Sequence, residues 1–178
     1  MSGGEIATAV AEGRLPGRVW MYSNYHCNIA CAYCLTDSGP KVARRALATE
    51  TMVEIGRQAK ELGFTDLGVT GGETFLHPDM PDILSRLAEL LPVVALTNAT
   101  LFGRRLLERV APLAGRRIAL QISLDRPDAD VNDEMRAPDN FRKVIAAIPA
   151  LVRRGLAGRV APTVGSIEGA ELDPLCAV

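Results

Sequence analysis

The sequence predicts an α/β fold built from βα units around a parallel sheet that is buried on both faces. From residue 18 onward, short apolar runs alternate with segments of helical period, as in successive βα units. The apolar runs are nearly continuous, which is typical of parallel strands that are buried on both sides. The predicted strands cover residues 18–23, 66–70, 93–97, 118–124 and 159–164.

Helices are predicted between the strands from apolar side chains that recur every three or four residues. Thr49 is expected to cap the first helix and Gly63 to end it. Pro112 and Pro149 predict a kink or an early end, because proline cannot lie unstrained in a helix interior. The apolar stripes lie at residues 52–62, 83–91, 106–113 and 141–152.

The composition is that of an ordinary globular domain. The 178 residues are 48% hydrophobic and 23% charged, with a formal net charge of -1, so no electrostatic footprint for nucleic acid or an anionic membrane is present. No apolar run approaches the roughly 20 residues of a membrane span, and no basic region precedes an apolar one at the start. We expect a cytoplasmic protein with a mobile N-terminal arm over residues 1–15 and a core domain over residues 16–178.

Three of the four cysteines stand together at C-x3-C-x2-C spacing, directly after the first predicted strand. Such close neighbours cannot join distant elements, which argues against a disulfide framework. Three soft ligands on one loop suit an iron–sulfur cluster better than zinc, which usually takes four ligands. The alternatives are a zinc site completed by His26 or Cys176, an electron-transfer ferredoxin site, and a chance group of buried cysteines. The three cysteines are Cys27, Cys31 and Cys34.

Glycine and polar residues stand where three of the predicted strands end. Because the C-terminal ends of parallel strands meet at one mouth, where ligands bind in barrel folds, we expect these residues to gather there. Glycines allow a backbone to approach a ligand closely, and a carboxylate complements a cation. The structural alternatives are a tight βα turn, helix capping and a turn at Asp125. The residues are Gly71, Gly72, Glu73, Thr97, Asn98, Ser123 and Asp125.

Together these motifs resemble the radical S-adenosylmethionine (SAM) superfamily. Its signature is C-x3-C-x-aromatic-C on the loop after the first strand of a partial (β/α)6 barrel, and Tyr33 fills the aromatic position. The resemblance covers residues 18–170, is nearest to the peptide- and cofactor-modifying branch, and implies a partial TIM-like (β/α) barrel of five to six parallel strands with outer helices. Because only residues 165–178 follow the fifth predicted strand, the resemblance implies a core truncated after the fifth βα unit.

The resemblance also implies the roles of the site residues. The three clustered cysteines would bind a [4Fe–4S] cluster, and the glycine turn with Glu73 would meet the methionine ammonium of SAM. Tyr33 would lie against the adenine, and Arg136 would bind the carboxylate through its planar fork, although a loop arginine is often a solvated surface charge. The implied cofactor contacts are Tyr33, Gly71, Gly72, Glu73, Thr97, Ser123, Asp125 and Arg136.

The implied activity is reductive cleavage of SAM to a 5′-deoxyadenosyl radical that modifies a peptide or a small molecule, with an electron donor such as flavodoxin or ferredoxin. The alternative is a truncated or degenerate relative that binds a cluster, or scaffolds a partner, without turnover. An incomplete sheet would leave a strand edge for a second copy or a partner protein to cover. No nucleic acid or membrane partner is expected. His26 and His77 are placed outside the site, because such histidines more often make local hydrogen bonds.

Overall fold

One parallel sheet organises the fold. The computed structural model describes residues 2–163, which contain five strands that are neighbours in chain order, β1-β2-β3-β4-β5. Each crossover therefore advances by one strand in the same direction, as in the wall of a barrel, whereas a doubly wound sheet reverses its order. The strands are β1 Arg18–Tyr22, β2 Asp66–Thr70, β3 Val93–Thr97, β4 Ile118–Ser123 and β5 Ala157–Ala161.

Helices connect the strands and cover one face of the sheet. Two single 3₁₀ turns, Thr74–Leu76 and Ala111–Leu113, supplement them. The helices are α1 Gly3–Ala11, α2 Thr49–Glu61, α3 Met80–Leu90, α4 Arg104–Val110, α5 Ala129–Met135 and α6 Asn140–Val152.

The apolar core lies between this helical layer and the sheet. The register places Met21 beside Val69 and Val69 beside Ala95, and all three side chains are buried. Ile83 and Leu87 of α3 are fully buried in the same cluster. Burial of one such leucine stabilises the folded chain by about 1.5–3 kcal/mol.

The expected arm over residues 1–15 contains a helix. Ser2 Oγ accepts a hydrogen bond from the Glu5 backbone N–H, and the Glu5 carboxylate accepts one from the Ser2 N–H. This capping box satisfies N–H groups that a helix start leaves free, and Ala9 is buried. The sequence analysis did not predict this helix, and the mobility of residues 1–15 stays a prediction.

Other boundaries differ from expectation in ways that local chemistry explains. α4 ends at Val110 before Pro112, as predicted, whereas α6 continues through Pro149 to Val152. Pro149 lies in the last turn and has no N–H to donate to the preceding turn, so α6 contains one backbone hydrogen bond fewer there. α5 was not predicted; Asp128 caps it by accepting from the Val131 N–H. Ala48, rather than Thr49, precedes α2.

Within residues 2–163, β5 pairs only with β4. Val152 and Val160, near this edge, are 62% and 39% exposed. Residues 164–178, including the end of the fifth predicted strand, the expected incomplete sixth unit and Cys176, lie outside the described residues. A partner or second copy at this edge stays a prediction. No described helix combines the length and apolar character that crossing a membrane requires.

Candidate functional site

A cavity of about 150 Å³ opens where β2, β3 and β4 end. Most of the predicted site residues meet there, although they come from separate loops. Tyr33, Glu73 and Asp125 are absent from its lining, but each contacts a residue that lines it. The cavity is lined by Cys27, Ile29, Cys31, Cys34, Ser38, Thr70, Gly71, Gly72, Leu96, Thr97, Asn98, Ser123 and Arg136.

The cysteines lie on a loop over residues 23–47 whose two ends are fastened together. Ser23 N donates to Thr70 O at 2.7 Å, and Leu47 N donates to Ser23 O at 2.9 Å. An isolated antiparallel bridge joins Asn24 to Ala46. The loop therefore leaves the sheet and returns to it at one point, beside the end of β2.

Cys27 and Cys31 sit in surroundings that oppose thiolate formation. Burial raises the pKa of Cys27, and the nearby Glu73 charge adds to the rise, against N–H donors that include Asn98. Burial also raises the pKa of Cys31, and the Arg136 charge opposes this. Both thiols would lose their protons on binding a metal, because a coordinating thiol is deprotonated outright.

Cys34 differs from the other two thiols. Burial acts to raise its pKa, but hydrogen bonds from Thr36 and Ser38 outweigh burial and lower the pKa below the ordinary value. The Ser38 N–H lies 3.3 Å from Cys34 Sγ, and Thr36 Oγ1 lies 3.4 Å from it. The loop thus provides donors for this sulfur as it would for a thiolate.

The donor set of the cavity fits an iron–sulfur cluster. Three free thiols line one space, and N–H groups point at the sulfurs of Cys27 and Cys34, as in iron–sulfur proteins. In residues 2–163, no three side chains of His, Cys, Asp or Glu form a site for a single metal ion. His26, a candidate fourth zinc ligand, lines a different cavity, beside Arg44 and Arg45.

The glycines after β2 allow the turn to lie directly against the cysteine loop. A Cβ on Gly72 would lie 2.2 Å from His26 O, and one on Gly71 would lie 2.4 Å from Asn24 O. Gly71 also has a φ of +150°, which side chains rarely permit. Gly72 N donates to Asn24 O at 2.9 Å, so turn and loop form one hydrogen-bonded unit.

Glu73 is fully buried and ties this turn to the end of β3. Its Oε1 accepts from Thr97 Oγ1 at 2.7 Å and from Phe75 N at 3.0 Å, and its Oε2 accepts from Asn98 N at 2.8 Å. Burial raises the pKa of Glu73, and these three donors oppose the rise. The carboxylate therefore links the glycine turn to the end of β3, and its contact with a cofactor stays a prediction.

Asp125 and Arg136 form a buried ion pair beside the cavity. Arg136 Nε and Nη2 donate to Asp125 Oδ2 and Oδ1 at 2.7 and 3.0 Å. The Tyr33 hydroxyl donates to Oδ2, and Thr163 N donates to Oδ1 at 2.8 Å. Burial acts to raise the pKa of Asp125, but the Arg136 and Tyr33 hydrogen bonds hold it below the usual range.

The three predicted cofactor contacts in this group are thus already joined to one another. The Tyr33 ring lies 5.7 Å from Arg136 Cζ, a cation–π distance, so its expected place against adenine is next to the guanidinium. Burial and the Asp125 hydrogen bond raise the pKa of Tyr33. Arg136 is 6% exposed, so it is not a solvated surface charge; it presents one edge to Asp125 and also lines the cavity.

Sequence reasoning placed Asn98 at the mouth but did not count it among the cofactor contacts, and in the structure Asn98 Nδ2 lies 3.6 Å from Cys27 Sγ. The sequence signal for such a role was its position directly after β3, but helix capping explained the same position equally well. The histidines make local hydrogen bonds, as expected: His77 Nε2 lies 2.9 Å from Leu47 O, and His26 Nδ1 lies 3.0 Å from Val42 O.

A family model described as Radical SAM superfamily matches residues 21–167. The chain is 32% identical over 145 residues to the antilisterial bacteriocin subtilosin biosynthesis protein AlbA of Bacillus subtilis, covering 79% of this chain and 31% of AlbA. It is also 32% identical over 130 residues to a probable GTP 3′,8-cyclase of Archaeoglobus fulgidus, covering 73% of this chain and 43% of the cyclase.

The fold is similar to that of SuiB from Streptococcus suis. The SAM-bound structure superposes with a TM-score of 0.74 at 22% identity and covers 96% of this chain and 40% of SuiB. The structure with the precursor peptide SuiA gives a TM-score of 0.75 at 21% identity, covering 97% of this chain and 39% of SuiB. The likeness confirms the predicted partial TIM-like barrel. This chain spans less than half the length of each of these proteins.

Proposed function

Because this chain belongs to the radical SAM superfamily, we propose that it holds a [4Fe–4S] cluster on Cys27, Cys31 and Cys34 and cleaves SAM reductively. The observation that supports the proposal is the single cavity that these thiols share with the glycine turn and the ends of β3 and β4. Such a cluster, with SAM bound, supplies an electron that releases methionine and a 5′-deoxyadenosyl radical, which abstracts hydrogen from a substrate.

The cavity residues would orient the cofactor. Thr97 Oγ1 already donates to Glu73 and accepts from Ala99 N, so only an acceptor site remains for an ammonium or hydroxyl. The Ser123 hydroxyl has no hydrogen-bond partner in residues 2–163 and is available to the cofactor. Arg136 keeps Nη1 outside its pair with Asp125, so it can bind a carboxylate while the pair persists.

The relatives support one class of substrate over another. AlbA is a bacteriocin biosynthesis protein, and SuiB has been seen with a precursor peptide. These similarities favour a peptide substrate, and the similarity to a GTP 3′,8-cyclase keeps a small molecule as the alternative. A one-electron donor of the flavodoxin or ferredoxin class would reduce the cluster.

Anaerobic reconstitution with iron and sulfide, followed by SAM and dithionite, tests the proposal. We expect 5′-deoxyadenosine by liquid chromatography and mass spectrometry, and none from the variant in which all three clustered cysteines are alanine. A protein that binds the cluster and SAM but yields no 5′-deoxyadenosine would instead support the non-catalytic alternative. A protein that retains zinc and little iron would exclude both.

A further inference from the structure

Asn98 is placed to act on the sulfur of Cys27. Its side-chain Nδ2 donates to Cys27 Sγ at 3.6 Å, and both residues are buried, with 7% of each exposed. Asn98 is the residue directly after β3, whereas Cys27 is on the loop after β1. This contact therefore joins the cysteine loop to the centre of the sheet.

The orientation of the Asn98 amide is fixed by its neighbours. Its Oδ1 accepts from Thr100 N at 3.0 Å and from Thr100 Oγ1 at 2.7 Å, and a backbone N–H can only donate. The other end must then carry the nitrogen, which also donates to Asn28 Oδ1 at 3.0 Å. Asn28 Nδ2 donates to Thr100 Oγ1 at 2.8 Å, which closes a ring of three side chains.

The backbone of Asn98 is held as firmly as its side chain. Its N–H donates to the buried Glu73 carboxylate at 2.8 Å. The next residue, Ala99, has a φ of +56°, a left-handed conformation that non-glycine residues adopt only when their surroundings impose it. The N–H of Ala99 donates to Thr97 Oγ1 at 3.0 Å, which supplies that constraint. The amide proton that faces Cys27 thus has little freedom to turn away.

We propose that Asn98 is a positioning residue that raises the reduction potential of the cluster through this N–H···S hydrogen bond. The inference rests on the proposed function. On reduction, one electron passes from an external one-electron donor to the cluster, and no bond forms or breaks. The added negative charge is partly carried by the cysteine sulfurs, so an N–H donor stabilises the reduced form more than the oxidised form.

A potentiometric titration monitored by electron paramagnetic resonance tests this on the reconstituted full chain. Asn98→Leu removes the donor at similar size. At a fixed solution potential, we expect the ratio of reduced to oxidised cluster to fall about tenfold, which is about 59 mV for a one-electron couple. Asn98→Asp keeps an acceptor for Thr100 but turns an oxygen toward the Cys27 sulfur. The reduction potential of the cluster in this variant should therefore lie below that in Asn98→Leu.

Gln121→Leu is the matched control, because it makes the same amide-to-leucine change on β4, where Gln121 accepts from Arg159 Nε at 2.9 Å. Its potential should equal that of the unsubstituted protein. An unchanged potential in either Asn98 variant with full iron content would overturn the inference. Loss of the cluster in both variants, with retention in Gln121→Leu, would also overturn it, since Asn98 would then serve assembly.

The two proposals fail in different ways. A cluster that forms without yielding 5′-deoxyadenosine refutes the proposed function and leaves the comparison of potentials valid. A normal 5′-deoxyadenosine yield with unshifted potentials refutes only the role of Asn98. Failure of the unsubstituted chain to assemble any cluster overturns both.

Discussion

Removing the Arg136 side chain should destabilise the protein mainly through Asp125. The Asp125 side chain is fully buried and that of Arg136 is 5% exposed, so Arg136→Met leaves a carboxylate without its cation in the interior. Breaking a buried pair in this way costs about 3–5 kcal/mol. Tyr33 and Thr163 still donate to Asp125, which favours the lower end, about 3 kcal/mol.

The loss of unfolding free energy in Arg136→Met should depend on pH, and the pKa of Asp125 gives the direction of that dependence. Because the pKa of Asp125 lies below its ordinary 3.8, the pair stabilises the folded protein above that pH, and this contribution is lost as the pH falls further. In Arg136→Met, burial remains without the guanidinium, so the pKa of Asp125 should rise. The deficit in unfolding free energy should then be largest near pH 7 and shrink as the pH falls.

Urea and thermal unfolding at pH 7 and pH 5 would measure the effect. A loss of about 3 kcal/mol corresponds to a fall in Tm of about 6–12 °C for a chain of this length. Asp125→Asn combined with Arg136→Met should recover much of the loss, because no charge is left unpaired. Arg104→Ala, which breaks an exposed pair with Glu108, should change little. A deficit that grows toward acid pH would refute the reasoning.

Four further predictions concern the site and the sheet edge. Alanine at all three clustered cysteines should abolish a [4Fe–4S] absorbance and the content of about four irons, whereas Cys176→Ala should preserve both. Ser123→Ala should weaken SAM binding by about 1–3 kcal/mol in equilibrium dialysis, with the cluster retained. Gly72→Val should abolish SAM binding, because a Cβ would lie 2.2 Å from His26 O, whereas Gly103→Ala, with no atom within 4 Å, should bind normally. Light scattering should show a dimer or aggregation, and a stable monomer would contradict the prediction of an uncovered strand edge.

The fold was largely predictable because its signals are local and repeated. β1 to β4 are short, mostly apolar runs and each long helix has an apolar stripe, whereas β5 contains a glycine and an arginine and begins two residues before the predicted strand. The two unpredicted helices are short and depend on caps. The capping residues Ser2, Glu5 and Asp128 are present in the sequence. Neither segment, however, has an apolar stripe long enough to predict a helix.

The candidate site also has a part that the sequence predicts and a part that it does not. The cysteine spacing and the glycine turn could be found from sequence because each motif is contiguous. The pair of Asp125 with Arg136 and the contact of Asn98 with Cys27 join residues that lie 11 and 71 positions apart in the sequence. Such contacts depend on how the loops at the strand ends fold over one another, which strand and helix patterns do not specify.

The closed base of the cysteine loop makes it a module. Leu47 N meets Ser23 O at 2.9 Å, so residues 23–47 span almost no distance between their ends. The strand pairings of β1–β5 involve residues outside this segment. We therefore expect the strand pairings to tolerate changes in the part of the loop that does not contact the ends of β2 and β3. A graft that keeps the two ends and Gly71 and Gly72 would exchange one metal-binding loop for another on an unchanged barrel wall.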